Sequence, residues 1–124
     1  MVQPLSILNV SDNSGAKTVQ CIKVLGKHKR SSGSINDFVV VSVKTLRKKG
    51  NLKIKRKEIC LGLIIKLKKK VKRSGGFFFN FDKNSVILLD KSFKPIGTRI
   101  FGSVSKELKK HKKFKIISLS SNLL

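Results

Sequence analysis

Residues 58–81 read EICLGLIIKLKKKVKRSGGFFFNF, and this stretch decides the fold. Successive side chains of a β-strand point to opposite faces of the sheet. One face of the first half is apolar at every second position: Ile59, Leu61, Leu63, Ile65 and Leu67. We expect this face to close a hydrophobic core, while the opposite face changes from Cys60 to Lys66 and Lys68. The segment Lys66–Gly76 should then form a cationic tip that projects from the core.

The strand that follows the glycine turn is rich in phenylalanine. Phe77, Phe79 and Phe81 share one face, which favours packing in the core. Phe78 points to the opposite face and is therefore the better candidate for stacking on a nucleic-acid base. The stretch as a whole predicts two strands joined by a cationic tip.

Short β segments recur along the rest of the chain, and helix is predicted only near its end. Apolar alternation and β-branched residues predict strands at residues 7–10, 17–25, 38–43 and 86–89. Turn residues follow the first of them, in the run SDNSG at 11–15. Five or six short strands, at roughly ten-residue spacing, are typical of a small closed β-barrel.

Two segments carry further expectations. The strand at 17–25 should be buried on both sides over part of its length, because its apolar residues divide between two faces: Val19, Cys21 and Leu25 on one, Ile22 and Val24 on the other.

Residues 44–57 are too poor in apolar side chains for a core. We expect them to form a projecting hairpin that turns at 50–51, with Leu52 and Ile54 on one face.

Near the C-terminus the pattern changes from strand to helix. Residues 104–113 predict a helix with Ser103 or Ser105 as its N-cap and Glu107 in its first turn. Its narrow apolar stripe consists of Val104, Leu108 and His111. Residues 114–119, FKIISL, fit either a strand or a helix turn.

The charge balance indicates a polyanionic partner. The chain carries 29 Lys and Arg residues against 6 Asp and Glu, for a formal net charge of +23. Self-repulsion on this scale destabilises an isolated compact state, whereas a polyanion neutralises the charge and gains affinity by counterion release. Nucleic acid is the leading candidate, and an anionic membrane surface is the second. The sequence has no run long enough for a transmembrane helix and no signal-peptide or transit-peptide pattern.

The inventory of reactive side chains predicts no enzyme, cofactor or metal site. The acidic residues are scattered, and none pairs at the spacing that general acid–base catalysis needs. His28 and His111 lie among lysines without an orienting carboxylate. Cys21 and Cys60 lie far apart in apolar segments, which indicates buried free thiols.

Basic side chains and two residues of the first turn are the candidate nucleic-acid contacts. A single basic run is usually only a solvated face, but several runs with almost no compensating acid favour phosphate contact. Lysine positions a protein on phosphates and reads base sequence less well than arginine does. The candidates are Asn13, Ser14, Lys17, Lys23, Lys27, Lys29, Arg30, Lys44, Arg47, Lys48, Lys49, Lys53, Lys55, Arg56, Lys66, Lys68, Lys69, Lys70, Lys72 and Arg73.

Several strings resemble the universal large-subunit ribosomal protein fourteen family, in family order along nearly the whole chain. They are LNV at 8–10, DNSGA at 12–16, CIKVLG at 21–26, the stretch 62–89, PIGTRIFG at 95–102 and KIISL at 115–119. They are most similar to the bacterial and organellar branch. The resemblance implies a mainly β fold, with a small five-stranded closed barrel, a projecting β-ribbon and a C-terminal region with two short helices. One domain, 1–124, would comprise barrel and ribbon in about 1–90 and loops and helices in about 91–124.

The resemblance also implies a non-catalytic structural constituent of the large ribosomal subunit. Its nucleic-acid partners would be large-subunit rRNA and, at an inter-subunit bridge, small-subunit rRNA. Its protein neighbours would be ribosomal proteins nineteen and three, with no membrane partner. A ribosome-silencing factor would dock on a face that includes Thr98, Arg99, Lys115 and Ser118.

Two other classes fit the residues less well. A free nucleic-acid binder of the cold-shock kind needs several surface aromatics on adjacent strands, whereas this chain has no Tyr or Trp. A cationic membrane-surface protein needs a long amphipathic helix, and the one predicted helix is short.

Composition bears on the compartment. Lys outnumbers Arg 24 to 5 and Ala occurs once, which indicates an A/T-rich genome. The family's start coincides with Met1, so we expect no import sequence and an organelle-encoded mitochondrial protein; plastid ribosomes and the bacterial cytoplasm are the alternatives. The turn at Asn36 departs from the family's usual glycine, and Asn can adopt the left-handed conformation that the turn needs.

Overall fold

A computed structural model of the protein describes residues 2–26, 32–48, 52–110 and 114–124. Nine strands and two short helices lie within these ranges. In chain order they are β1 (Ile7–Val10), β2 (Ala16–Val24), β3 (Phe38–Leu46), β4 (Ile59–Lys66), β5 (Val71–Lys72), β6 (Phe78–Phe79), β7 (Ser85–Leu89), β8 (Ser103–Val104), α1 (Glu107–Lys110), α2 (Phe114–Ser118) and β9 (Asn122–Leu123).

Five strands close into a barrel in the order β1–β2–β3–β4–β7. Neighbouring strands are antiparallel except at the closure, where β1 runs parallel to β7 through the pairs Asn9–Ser85 and Val10–Val86. The antiparallel β5–β6 ribbon and the parallel β8–β9 pair form separate two-stranded sheets. The expected mainly β fold, with a five-stranded closed barrel, a ribbon and two short helices, is confirmed.

Strands β4 and β7 are buried on both faces because a hydrophobic cluster lies on each side of them. Ile64, Val86 and Leu88 belong to the cluster that fills the barrel. The side chains of the opposite face pack with apolar residues of the C-terminal region in a second cluster: Leu63, Ile65, Ile87, Leu89, Ile100, Val104, Leu108 and Ile116. The C-terminal region therefore covers the outer wall of the barrel at β4 and β7.

The face of β4 predicted to close the barrel is its outer face, so that prediction is wrong. Ile65 and its alternate neighbours pack beneath the C-terminal helices, whereas Ile64 faces the barrel interior. Ile59, at the start of the same outer face, is 66% exposed. Leu67 joins the interior cluster, because a register shift between Ile64 and Lys66 reverses the alternation.

The prediction that β2 is buried on both faces is also wrong. Val19, Cys21 and Val24 all belong to the barrel cluster, while Ile22 is exposed. A register shift between Cys21 and Lys23 inserts one extra residue, so Val24 returns to the face of Cys21. The apparent second apolar face is a consequence of this bulge.

The projecting hairpin predicted over residues 44–57 is not formed by the described part of this segment. Residues 52–58 contain no strand. Ile54 is only 3% exposed and joins the barrel cluster, whereas Leu52 is 48% exposed. One buried isoleucine thus holds the segment against the barrel, and the predicted turn at 50–51 lies outside the described residues.

The helix predicted over residues 104–113 begins later than expected. Val104 lies in β8 and pairs with β9, so it is extended rather than helical. Helix α1 begins at Glu107, whose backbone N–H lies 3.4 Å from the hydroxyl of Ser105, one of the two predicted caps. Of the two structures considered for FKIISL, the helix is observed. His111 of the predicted stripe lies outside the described residues.

Two turns depend on left-handed backbone conformations. Asn36 has φ +74°, which confirms that asparagine serves in the turn before β3. Gly15 has φ +106°, and a Cβ there would lie 2.7 Å from the Leu52 side chain. Glycine is therefore required at this position both by conformation and by space.

Candidate nucleic-acid interface

Most of the predicted contacts are exposed cations on three segments around the barrel. One group lies on the ribbon and the chain leading to it, a second on residues 52–58, and a third on β2 and β3 with the chain just after β3. The exposed members are Lys17, Lys23, Lys44, Lys48, Lys53, Lys55, Arg56, Lys68, Lys69, Lys70 and Lys72. Lys27, Lys29, Arg30 and Lys49 lie outside the described residues.

Strand pairing brings cations from distant parts of the chain together. The pairing of Ala16 with Leu46 places Lys17, which follows Ala16, beside Arg47 and Lys48 at the end of β3. These three side chains border one surface cleft that has no carboxylate in its lining. Such an arrangement attracts an anion.

A second cleft, of about 460 Å³, is lined by both cations and aromatic rings. The Arg47 guanidinium lies 5.0 Å from the centre of the Phe101 ring, and its Nη2 donates to the Val10 carbonyl at 3.3 Å. Lys66 Nζ donates to the Phe101 carbonyl at 3.3 Å, and burial lowers the pKa of this ammonium. The same cleft also contains Lys83 and Asp82. It can accept a phosphate against fixed donors.

Arg73 joins the ribbon to the C-terminal region. Its Nε and Nη2 donate to the two carboxylate oxygens of Glu107 at 3.1 and 3.3 Å, and Nη2 also donates to the Leu124 carbonyl at 2.8 Å. The guanidinium carbon lies 4.0 Å from the centre of the Phe79 ring. The side chains of the ion pair are only 14% and 21% exposed. This predicted nucleic-acid contact therefore has a structural role.

Asn13 and Ser14, in the turn after β1, also serve the fold. Asn13 Nδ2 donates to Thr98 Oγ1 at 2.9 Å, and Asn13 Oδ1 accepts the backbone N–H groups of Thr98 at 2.8 Å and Arg99 at 3.2 Å. The Ser14 hydroxyl is buried and donates to the Asp12 carboxylate. The Ser14 side chain is thus closed to an outside partner, and Asn13 positions the loop that carries Thr98 and Arg99.

The face predicted for a silencing factor is assembled from two segments. Its four members are exposed: Thr98, Arg99, Lys115 and Ser118. The backbone N–H of Ile100 donates to the Leu119 carbonyl at 3.0 Å, which brings the loop of the first pair beside the end of α2. Asn13 anchors that loop from the barrel side.

An aliphatic surface that sequence reasoning missed lies on the outer wall of the barrel. The pairs Ile7–Gln20, Gln20–Ser42 and Ser42–Ile59 form one row across β1 to β4. The exposed aliphatic side chains on this wall, which we call the aliphatic face, are Leu5, Ile7, Ile22 and Ile59. Strand alternation places Ile7 on the face opposite buried Leu8, and this was the sequence signal that could have predicted an exposed aliphatic side chain.

The phenylalanines after the glycine turn divide differently from the prediction. Phe78 is 62% exposed, as its alternation predicts. Phe77, expected in the core, is 55% exposed, because it precedes β6 and its ring lies over Gly75. Phe79 and Phe81 are half-buried and pack edge to face with ring centres 4.9 Å apart.

Both cysteines are free, as predicted; Cys21 is buried as expected, whereas Cys60 is only partly buried. Burial, with smaller contributions from the charges of Glu58 and Asp12, raises the pKa of Cys60 to about 11, and burial also raises the pKa of Cys21. Within the described ranges, no group of three or more His, Cys, Asp or Glu could hold a metal ion. No helix in that part of the chain is long and apolar enough to cross a membrane.

The closed barrel, its cationic surroundings and its C-terminal covering region define a small basic β-barrel protein. The chain matches the family described as ribosomal protein L14p/L23e over residues 1–124. It belongs to this family, and the resemblance seen in the sequence is confirmed. The protein is therefore a ribosomal protein, from a family of structural rather than catalytic components.

Proposed function

We propose that this protein is a structural constituent of the large ribosomal subunit that binds large-subunit rRNA and contributes to contacts with small-subunit rRNA. The observation that carries the proposal is the placement of charge around a rigid barrel. Apolar side chains fill the barrel, and the exposed basic residues predicted to contact nucleic acid lie on the ribbon and the chain leading to it, on residues 52–58, and along β2 and β3 with the chain just after β3. Family membership supplies the setting, and the net charge of +23 supplies the affinity.

The mechanism is electrostatic and depends on shape. The closed barrel fixes the relative positions of segments that would otherwise be flexible, so their lysines meet phosphates of folded RNA together. Each phosphate contact releases counterions and adds affinity without reading base sequence. The protein therefore stabilises one arrangement of rRNA rather than catalysing a reaction.

The cleft that Arg47, Lys66 and Phe101 line supports a closer contact. Arg47 Nε is buried without a hydrogen-bond partner, while its Nη2 is held by a backbone carbonyl. A phosphate that enters this cleft would meet a guanidinium already fixed in position, which reduces the entropy lost on binding. We place one rRNA phosphate contact here.

Two protein faces complete the proposal. The exposed set Thr98, Arg99, Lys115 and Ser118 is the proposed docking site of a ribosome-silencing factor. The aliphatic face is proposed to pack against a neighbouring ribosomal protein, for which proteins three and nineteen are the candidates. Exposed aliphatic side chains on β1, β2 and β4, together with Leu5 just before β1, favour a protein surface over RNA at this wall.

The proposal extends to organisation and location. We treat residues 1–124 as one domain, because β4 and β7 contribute to both hydrophobic clusters. The composition favours a mitochondrial ribosome, with plastid and bacterial ribosomes as alternatives.

The salt dependence of RNA binding tests the rRNA contacts. The purified chain should bind a large-subunit rRNA transcript with an affinity that falls steeply and linearly on a logarithmic salt scale. Replacing Lys68 and Lys70 together by glutamine should reduce that slope by about two, since each removes about one phosphate contact. Glutamine in place of Lys91, outside the three cationic segments, is the matched control and should leave the slope unchanged. An affinity that does not respond to salt would contradict the proposal.

A further inference from the structure

Two neighbouring phenylalanines at the end of the ribbon are explained neither by the barrel nor by phosphate contacts. Phe77 is 55% exposed and Phe78 is 62% exposed, and neither belongs to a hydrophobic cluster. The Phe77 ring lies across the turn, where a Cβ on Gly75 would come within 2.8 Å of it. Adjacent large aromatic side chains left in solvent are uncommon and indicate a binding site.

The two faces of the ribbon have different chemistry. On the inner face Val71 pairs with Phe79, and Arg73 holds that face against the C-terminal region. On the outer face Lys72 pairs directly with Phe78. The Cβ atoms of such a pair lie about 4.5–5.5 Å apart, so an exposed aromatic ring and an exposed ammonium project from neighbouring positions on one face. Because the inner face is anchored, the outer face has a fixed direction.

Charge decides which partner this surface fits. No Asp or Glu occurs between residues 68 and 81. An apolar protein surface that covered Phe78 would bury Lys72 without a counter-charge, which is unfavourable. A nucleobase presents a π-face to the ring and carries phosphates that pair with the ammonium. The aliphatic face, by contrast, offers no aromatic ring on which a base could stack.

We infer that Phe78, with Phe77 also exposed at the neighbouring position, forms a stacking platform for an unpaired nucleobase of ribosomal RNA, with Lys72 contacting the adjoining phosphate. The inference rests on the proposed rRNA binding and deepens it, because it assigns one site to single-stranded RNA in a loop or bulge. The other cationic segments contact phosphates of any folded RNA. The ribbon tip distinguishes unpaired from paired nucleotides.

Two RNA probes and three variants test the platform. The probes are an RNA hairpin with an unpaired loop and a duplex of the same stem without the loop. The intact protein should bind the hairpin about fivefold to 150-fold more tightly, the size of one base–aromatic stack of about 1–3 kcal/mol. The double variant Phe77→Ala/Phe78→Ala should lose this preference and retain its duplex affinity. Phe78→Tyr should keep the preference, and Lys72→Ala should weaken binding to the hairpin more than binding to the duplex.

A photo-crosslink identifies the occupant in the assembled ribosome. With p-azidophenylalanine in place of Phe78, the expected adduct is with an rRNA nucleotide. An adduct with a neighbouring protein would overturn the inference in favour of protein docking.

Because both rings are exposed, the phenylalanine variants used with the RNA probes should have the same denaturant midpoint of unfolding as the wild-type protein.

The possible failures are separable. If the wild-type protein binds neither probe, the proposed rRNA binding itself fails. If it binds both but shows no preference, or the double variant keeps the preference, only the stacking platform is overturned. Equal weakening of both probes by the double variant would also overturn it, because a platform for unpaired bases does not act on duplex.

Discussion

Replacing Arg73 by lysine should loosen the ribbon without removing a positive charge. The guanidinium donates to both carboxylate oxygens of Glu107 and to the Leu124 carbonyl while it stacks on Phe79. A lysine ammonium has no planar fork, so it cannot keep the two-point contact and the stack together. The variant therefore separates the geometry of the clamp from its charge.

The expected loss of stability follows from these contacts. A hydrogen bond to a charged group contributes about 1.5–3 kcal/mol when it is buried. The stack on Phe79 adds about 0.5–1 kcal/mol. Because the ion pair is partly exposed, solvent screening reduces the total, and we expect a loss of about 2 kcal/mol. If the unfolding free energy falls by about 2 kcal/mol for each molar of urea, the urea concentration at the unfolding midpoint should fall by about 1 M.

Urea unfolding followed by circular dichroism measures this change, and amide hydrogen exchange locates it. The backbone N–H of Arg73, which donates to the Phe77 carbonyl, should exchange faster in the variant. Lys72→Gln, at the neighbouring position on the outer face of the ribbon, is the matched control and should leave the midpoint unchanged. A wild-type midpoint together with wild-type exchange in Arg73→Lys would refute the clamp.

The remaining predictions concern the barrel end, the docking loop and the thiols. Ile54→Ala should cost about 2–4 kcal/mol of unfolding free energy, whereas exposed Leu52→Ala should cost far less; equal small losses would mean that the segment does not pack on the barrel. Asn13→Ala removes three hydrogen bonds to the 98–99 loop and should speed proteolysis there, and unchanged cleavage would count against that anchoring. Arg99→Glu should weaken silencing-factor binding at least about tenfold in calorimetry while subunit assembly continues; unchanged binding would argue against the docking face. The folded-state pKa of Cys60 is raised from 9.0 to about 11, so the thiolate fraction of this side chain at pH 8 falls about a hundredfold. Iodoacetamide should therefore alkylate Cys60 slowly until urea unfolds the protein. Rapid alkylation before unfolding would disprove the burial.

The barrel strands could be predicted because their alternation is strong. Residues 7–10, 38–43 and 86–89 all lie within or beside observed strands, and the family resemblance supplied the closure. The direction of each face could not be predicted, because β4 and β7 have apolar residues on both sides. Two register shifts, near Ile22 and Ile65, then changed the alternation where no residue type marks a bulge.

The candidate site was predictable in its charge and not in its geometry. Most lysines are exposed, as their number requires, but Arg73 is drawn into an ion pair and Ser14 into a buried hydrogen bond. The role of Arg73 depends on a partner more than thirty positions away, and the role of Ser14 depends on its burial. Sequence spacing predicts neither of these. The exposure of Phe77 likewise depends on how the glycine turn directs the ring.

We propose that contacts with rRNA hold this protein in the large ribosomal subunit. Sedimentation of a native lysate on a sucrose gradient tests this most directly. At moderate salt the protein should sediment with the large subunit, and high salt should release it because its contacts are mainly to phosphates. Finding the protein at the top of the gradient at moderate salt, away from the large subunit, would contradict the claim.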